Sequence, residues 1–354
     1  MTPHHESEPP DTTTRVLYSG FRYGHHNAGS GYDAVVGDRR DYVRGDGMPF
    51  AGYPHTTRLR SVNFLLVDLV TLVRGLSYDT VHYFYPEDTA YLSPWLLRLL
   101  GKRIVYTVHN AERDDWLGPA RSPFMRLKQL SLRGAHAIVV LSSSQLDAYS
   151  RAFPEKEVRF VPHGLVFDTA REPSAELLAR RTTARRLVVV GTNYRDFDLL
   201  ERIIARRGPR EVEIHLVGMD DAVQRRFERQ TRVVCHPRLD PASYDELLRE
   251  SFALLLPLSF ATANNALLEA YKCHLPAFAS RIGGTIDYAV DGDRSLFSSP
   301  EEFWSKYDAL AALEPPALRD VCVALHEAAR ARFSWPTIRG QLAPLYAHAP
   351  RGGA

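Results

Sequence analysis

Two asparagines and a glutamate carry the clearest chemistry in this chain. They lie in the run Leu254 to Tyr288, LLLPLSFATANNALLEAYKCHLPAFASRIGGTIDY. A short apolar run ends at Pro257, and a polar loop leads to Asn264 and Asn265, either of which suits the N-cap of a helix carrying Leu267, Leu268 and Tyr271. The first N–H groups of a helix have no intrahelical partner, and the helix dipole adds partial positive charge there. The backbone at Asn264, Asn265, Ala266 and Leu267 is therefore a candidate cradle for a diphosphate. Glu269 follows Asn265 by four residues, one turn along the same face, where its carboxylate could accept hydrogen bonds from ribose hydroxyls. The same spacing also describes an ordinary capped helix with a solvated glutamate.

Other reactive side chains sit where strands end. The run 15–19 reads as a first strand and opens into a loop, residues 20–33, that holds Gly20, Gly24, Gly29 and Gly31. Strand, glycine-rich loop and helix together begin a nucleotide-binding α/β unit. G-x-G-x-x-G is absent, so the dinucleotide fingerprint is not met. His25 and His26 are the residues of this loop whose pKa values suit proton chemistry, and packing is the competing role. Glu87 and Asp88 close a strand read over 78–85. They are candidate acceptor contacts, or simply the acidic first turn of a helix. His109 ends a strand over 102–108, and Glu112, Asp114 and Asp115 in the following loop are candidates for binding acceptor hydroxyls.

These positions need a frame, and the chain alternates to provide one. Helical spacing covers 59–76 and a basic helix covers 121–133. Strands follow at 135–141 and 158–161. After a helix-containing stretch over 170–184 the alternation restarts, with strands at 186–190, 211–217, 233–236 and 252–256, then 277–279 and a Gly283-Gly284 turn. Pro276 is read as the stop of the Glu269 helix. The last helix opens at Ser334-Trp335-Pro336 and carries Ile338, Leu342 and Leu345 on one face. Two α/β units fit 354 residues.

Composition narrows the function classes. Hydrophobic residues make up 45% and charged residues 24%, which are globular values. A formal charge of +2 argues against nucleic acid as a partner. Cys235, Cys273 and Cys322 are scattered, which suits a reducing cytoplasm and neither a disulfide scaffold nor a zinc site. No apolar stretch reaches transmembrane length, and the polar N-terminus does not read as a signal peptide.

The A-N-N-x-L-L-E-A and G-G-x-x-D-Y runs, with the T-V-H at 107–109 and the P-H-G at 162–164, resemble the retaining glycosyltransferases of family 4, group 1 type. The resemblance implies the GT-B fold: two doubly wound Rossmann-like domains facing a cleft, with a C-terminal helix crossing back to the first domain. It implies a tail over 1–14, an acceptor-side domain over 15–166, a linker over 167–184, a nucleotide-sugar domain over 185–335 and the returning helix with its tail over 336–354. In the family the residue at Glu269 grips the donor ribose, and the helix start at Asn264 to Leu267 holds the diphosphate. Gly191 and Arg195 meet the phosphates, although Thr192 stands where an arginine is usual. The strand end at Gly218 frames the base, and Gly283-Gly284 return to the cleft. His109 meets the donor sugar, and His25 and His26 lie in the cleft. One departure is plain: the first of the two usual glutamates is Ala261, which bears on which sugar is carried.

The implied activity is transfer of a sugar from a nucleotide-diphosphate sugar to an acceptor hydroxyl, with retention, without metal and without a cofactor beyond the co-substrate. The acceptor could be a glycan, a lipid-linked saccharide or a small molecule. The expected location is the cytoplasm, with membrane contact at most peripheral. Two other readings compete, a nucleotide-sugar epimerase of the same fold and a non-catalytic binding partner. A dinucleotide oxidoreductase ranks third.

Overall fold

The computed structural model describes residues 14–21, 31–37, 41–45, 48–49, 60–109, 117, 123–167 and 172–347. His25, His26 and Glu112 lie outside them, as do Asp114, Asp115 and most of the glycine-rich loop.

Two parallel sheets of six strands form the frame. The first contains β1 (Val16–Gly20), β2 (Tyr42–Arg44), β3 (Thr80–Phe84), β4 (Arg103–Val108), β5 (Ala137–Val140) and β6 (Glu157–Phe160), in the order β2-β1-β3-β4-β5-β6. The second contains β7 (Arg186–Val190), β8 (Glu213–Val217), β9 (Val233–His236), β10 (Ala253–Leu256), β11 (Ala277–Ser280) and β12 (Leu296–Phe297), in the order β12-β11-β10-β7-β8-β9. The central strands are near-continuous apolar runs, as sheets covered on both faces require. The short β2 and β12 carry too few residues for a sequence pattern to reveal them.

Each sheet reverses direction once. In the second, β7 to β9 run one way and β10 to β12 return on the other side of β7, so the crevice between the carboxyl ends of β7 and β10 is a topological switch point. The loops that follow these two strands are tied together there. Arg195 and Leu258 form an antiparallel bridge, Asp196 N–H donates to the Pro257 carbonyl at 2.9 Å, and Ser259 N–H donates to the Tyr194 carbonyl at 3.0 Å.

The helix after β10 spans Asn265–Lys272 with Asn264 as its N-cap. Its Leu267, Leu268 and Tyr271 are buried, each contributing about 1.5–3 kcal/mol relative to exposure. It stops four residues short of Pro276, because His274 takes a left-handed φ of 52° and the buried Arg181 donates to the carbonyls of Cys273 and His274. Gly283-Gly284 are not a turn. They open a helix, Gly283–Tyr288, after the N-cap Ile282.

The final helix, Trp335–Tyr346, packs across the first sheet, as the resemblance implies. Trp335, Ile338, Leu342 and Leu345 are buried there. Tyr346 Oη and His82 Nδ1 are 2.9 Å apart, and Thr80 Oγ1 donates to the Tyr346 carbonyl at 3.0 Å. The chain passes between the halves at two adjoining points, where Leu165 N–H donates to the Phe333 carbonyl at 2.8 Å.

Candidate active site

At the switch point the sequence places Gly191, Arg195 and the start of the Asn265–Lys272 helix, and the fold brings all three to one edge of the second sheet. Gly191 ends β7 with φ +72°, a left-handed value that favours glycine. Arg195 is half-buried. Its Nε donates to the Val190 carbonyl at 2.9 Å and its Nη1 to the Asn193 carbonyl at 3.1 Å, so the guanidinium is folded back over the Gly191 turn. Burial lowers its pKa to about 10, which leaves it cationic at neutral pH. Gly218, at the end of β8, also has a left-handed φ, +69°.

Asn264 Oδ1 accepts the Leu267 N–H at 3.2 Å, a cap worth about 1 kcal/mol. That amide is therefore already engaged by the cap. Ala266 is buried in the first turn beside it. One turn further on, the half-buried Glu269 accepts a hydrogen bond from Tyr244 Oη at 2.8 Å. Tyr244 lies in the first turn of the Pro241–Glu250 helix and is buried. Burial, and then the adjacent Glu269 carboxylate, hold its phenol well above the ordinary tyrosine range, so it acts as a donor throughout the physiological range. One buried hydroxyl thus holds the carboxylate of this helix. The sequence reading missed this residue. Its only signal was a hydroxyl-bearing aromatic on the inner face of a helix that is otherwise lined by leucine.

Gly284 explains itself by contact. A Cβ there would lie 2.3 Å from the Ala261 carbonyl oxygen and 2.4 Å from that of Thr262, so the loop after β10 can lie flat only against glycine. Gly283 meets Ser144 of the first half in the same way. Ala261 itself is buried, with no carboxylate at the position where the family usually has one.

The facing wall belongs to the first half. His109 follows β4, and Thr262 Oγ1 donates to its carbonyl over a long 3.4 Å, which joins the loop after β10 to the end of β4. The His109 ring stacks on Tyr85 at 3.8 Å and meets Tyr32 edge-on at 4.9 Å. Its backbone N–H donates to Glu87 Oε1 at 3.0 Å. Glu87 is buried in the short helix Pro86–Thr89, so the carboxylate offered above as an acceptor contact serves to hold His109 in place. Asp88 pairs with Lys128 at 3.7 Å. Tyr85 reaches its stacking position through a left-handed φ of 53°.

The Gly283–Tyr288 helix fastens the halves beside this wall. Asp287 accepts from Ser142 Oγ at 2.7 Å, Ser143 N–H at 2.7 Å and Ser143 Oγ at 2.6 Å. Tyr288 Oη donates to the Leu141 carbonyl at 3.0 Å and accepts from His163 N–H at 2.6 Å. Burial lowers the His163 imidazole to about 4, so it packs neutral beside Tyr32 and Trp335. Among the described residues no three His, Cys, Asp or Glu side chains group as metal ligands would. No described helix is long and apolar enough to cross a membrane.

Similarity to known proteins agrees with this layout. No curated protein matches the sequence. Among solved structures, sucrose-phosphate synthase from Thermosynechococcus elongatus is 18% identical with a TM-score of 0.60, over 86% of this chain and 82% of that one. HepE from Anabaena, in complex with UDP and glucose, is 14% identical with a TM-score of 0.62, over 93% and 98%. The catalytic domain of starch synthase IV from Arabidopsis thaliana, bound to ADP and acarbose, is 13% identical with a TM-score of 0.62, over 81% and 76%. At these identities the likeness is one of fold. The family is carried by the sequence: residues 25–169 match Glycosyltransferase Family 4 and residues 184–312 match Glycosyl transferases group 1. With both halves matched, the chain belongs to the family 4-like, group 1 glycosyltransferases of GT-B fold.

Proposed function

We propose that the chain transfers a sugar from a nucleoside-diphosphate sugar to an acceptor hydroxyl, with retention at the anomeric carbon and without a metal ion. The observation that carries this reading is the convergence at the β7/β10 switch point. The loop after β7 carries Arg195 and bridges the loop after β10, which leads into the Asn265–Lys272 helix with its Tyr244-held Glu269 and whose Thr262 reaches the His109 carbonyl. Such crevices are where open α/β sheets take nucleotides.

The roles follow from charge. The first-turn amides, Ala266 among them, and the Arg195 guanidinium meet the diphosphate. Glu269 accepts from the ribose hydroxyls. As the bond from the anomeric carbon to the phosphate oxygen breaks, negative charge grows on the diphosphate, and the same amides and Arg195 oppose it. The acceptor oxygen forms its new bond on the face the phosphate leaves, and its proton passes to the departing phosphate oxygen. A cation already fixed at that place does the work a metal would otherwise do. His109, locked between Tyr85, Tyr32 and Glu87, presents a rigid imidazole to the sugar. The similar folds of HepE and starch synthase IV hold UDP and ADP respectively, which supports a nucleoside diphosphate and leaves the base open.

Calorimetric titration with UDP, GDP, ADP and TDP tests the reading. One of them should bind the wild type, and bind Glu269→Ala at least about tenfold more weakly, a loss of about 1.4 kcal/mol. A folded protein that binds none of the four overturns the proposal.

A further inference from the structure

A line of buried polar side chains runs from the Trp335–Tyr346 helix to the wall of the crevice. Tyr346, at the end of that helix, has its Oη 2.9 Å from His82 Nδ1. His82 Nε2 is 2.7 Å from Thr107 Oγ1, and Thr107 Oγ1 is 3.1 Å from Tyr32 Oη. All four side chains are buried. The Tyr346 carbonyl is itself held by Thr80 Oγ1, so the helix end is fastened to β3 by main chain and side chain together. Burial keeps His82 neutral, with its pKa lowered to about 3, and holds the Tyr32 phenol above the ordinary tyrosine range. Each member therefore brings one hydrogen, and the line is satisfied without any charge.

Thr107 joins this line to His109. Its side chain is a link in the line, and its carbonyl lies 3.3 Å from His109 Nδ1. A carbonyl oxygen only accepts, so the hydrogen of the neutral imidazole is on Nδ1 and the lone pair on Nε2. At 3.3 Å the bond is long, and a small turn of Thr107 would break it. Tyr32, at the other end of the line, meets the His109 ring edge-on at 4.9 Å and the Trp335 ring at 5.4 Å. The line thus fixes the residue that chooses where His109 carries its hydrogen and the ring that sets its tilt. A fully satisfied buried network is rigid, and a substrate-facing side chain needs a rigid support.

We infer that Tyr346, His82 and Thr107 are positioning residues for the transfer: they hold His109 as the Nδ1–H tautomer, so that its Nε2 accepts a hydrogen bond from a hydroxyl of the sugar. The inference rests on the transfer reading for what His109 faces, whereas the tautomer stands without it. The competing account is a network that only stabilises the fold, and Tyr106 supplies the comparison. It precedes Thr107 on β4 and is as fully buried. Its Oη donates to the Ser131 carbonyl at 3.0 Å, on the face of the sheet away from the Trp335–Tyr346 helix. Losing that hydroxyl removes a similar bond from the same strand without touching the line.

Nitrogen NMR spectra of the full chain with ring-labelled histidine test it, the His109 signals being identified by their loss in His109→Gln. Wild type should show a single Nδ1–H tautomer. Thr107→Val and Tyr346→Phe should each leave a mixture, Thr107→Ser should restore the single tautomer, and Tyr106→Phe should keep it. Nucleotide release from UDP-glucose, GDP-mannose, ADP-glucose and TDP-glucose is the second readout. With the donor that wild type uses, Thr107→Val and Tyr346→Phe should lower kcat at least about fivefold at unchanged KM, and Tyr106→Phe should leave kcat as it is. A single tautomer in either Thr107→Val or Tyr346→Phe overturns the inference, as does an equal loss of kcat in Tyr106→Phe. Release from none of the four donors by a folded wild type counts against the transfer reading alone, and the spectra then decide the network.

Discussion

Removing a single oxygen from Tyr244 should weaken nucleotide binding without loosening the fold. Tyr244→Phe keeps the buried ring and deletes the hydroxyl that donates to Glu269 Oε2 at 2.8 Å. A hydrogen bond to a charged group is worth about 1.5–3 kcal/mol. Glu269 is half-buried, so water can replace part of that, and about 1 kcal/mol of orientation should be lost. In affinity this is about fivefold for the nucleoside diphosphate that wild type prefers. The assay is calorimetric titration of wild type, Tyr244→Phe, Glu269→Ala and the double variant. If the hydroxyl acts through the carboxylate, it has nothing to act on once Glu269 is gone, so the double variant should bind like Glu269→Ala alone. Additive losses in the double variant would refute the positioning role. Tighter binding by Tyr244→Phe would refute it differently, by showing that the tyrosine competes with the ribose for the carboxylate.

Two further outcomes follow from the packing. His82 is buried between Thr107 and Tyr346, and burial lowers its pKa to about 3. The folded chain therefore rejects a proton that the unfolded chain takes up near pH 6.5, so the stability linked to His82 is complete above about 6.5 and is lost as pH falls toward 3. At pH 5 the loss should be about 2 kcal/mol, and urea unfolding from pH 7.5 to 4.5 should show His82→Gln with a pH slope shallower by about one proton; an unchanged slope would count against the assignment. Gly284→Ala drives a methyl group against the carbonyls of Ala261 and Thr262 and should cost about 1–3 kcal/mol in the same measurement. Stability within about 0.5 kcal/mol of wild type would mean that the loop yields.

Much of this protein was legible in the order of its residues. Alternating apolar runs and capped helices foretold two α/β halves, because a strand buried on both faces must be apolar throughout. The Asn264 cap, the helix it starts and Glu269 one turn along were readable because a helix repeats over a few residues. The sequence alone also determined the family, since its matches cover 25–169 and 184–312. What it left open were contacts between residues far apart in the chain. Strand order, and with it the switch point that sets the Gly191 turn beside the loop after β10, depends on which strands pair across the sheet. Glu87 read equally as a substrate contact or as the acidic first turn of a helix, and only the fold showed that helix and the His109 backbone N–H, 22 residues away, that the carboxylate accepts from. Tyr244 went unnoticed, 25 residues from the carboxylate it holds. Spacing over 59–76 gave a helix, but which of its apolar residues are buried and which exposed was set only by packing. Local backbone preferences are encoded within a turn or two of chain, whereas pairing, burial and exposure are set by the whole chain closing on itself, and those decided the site.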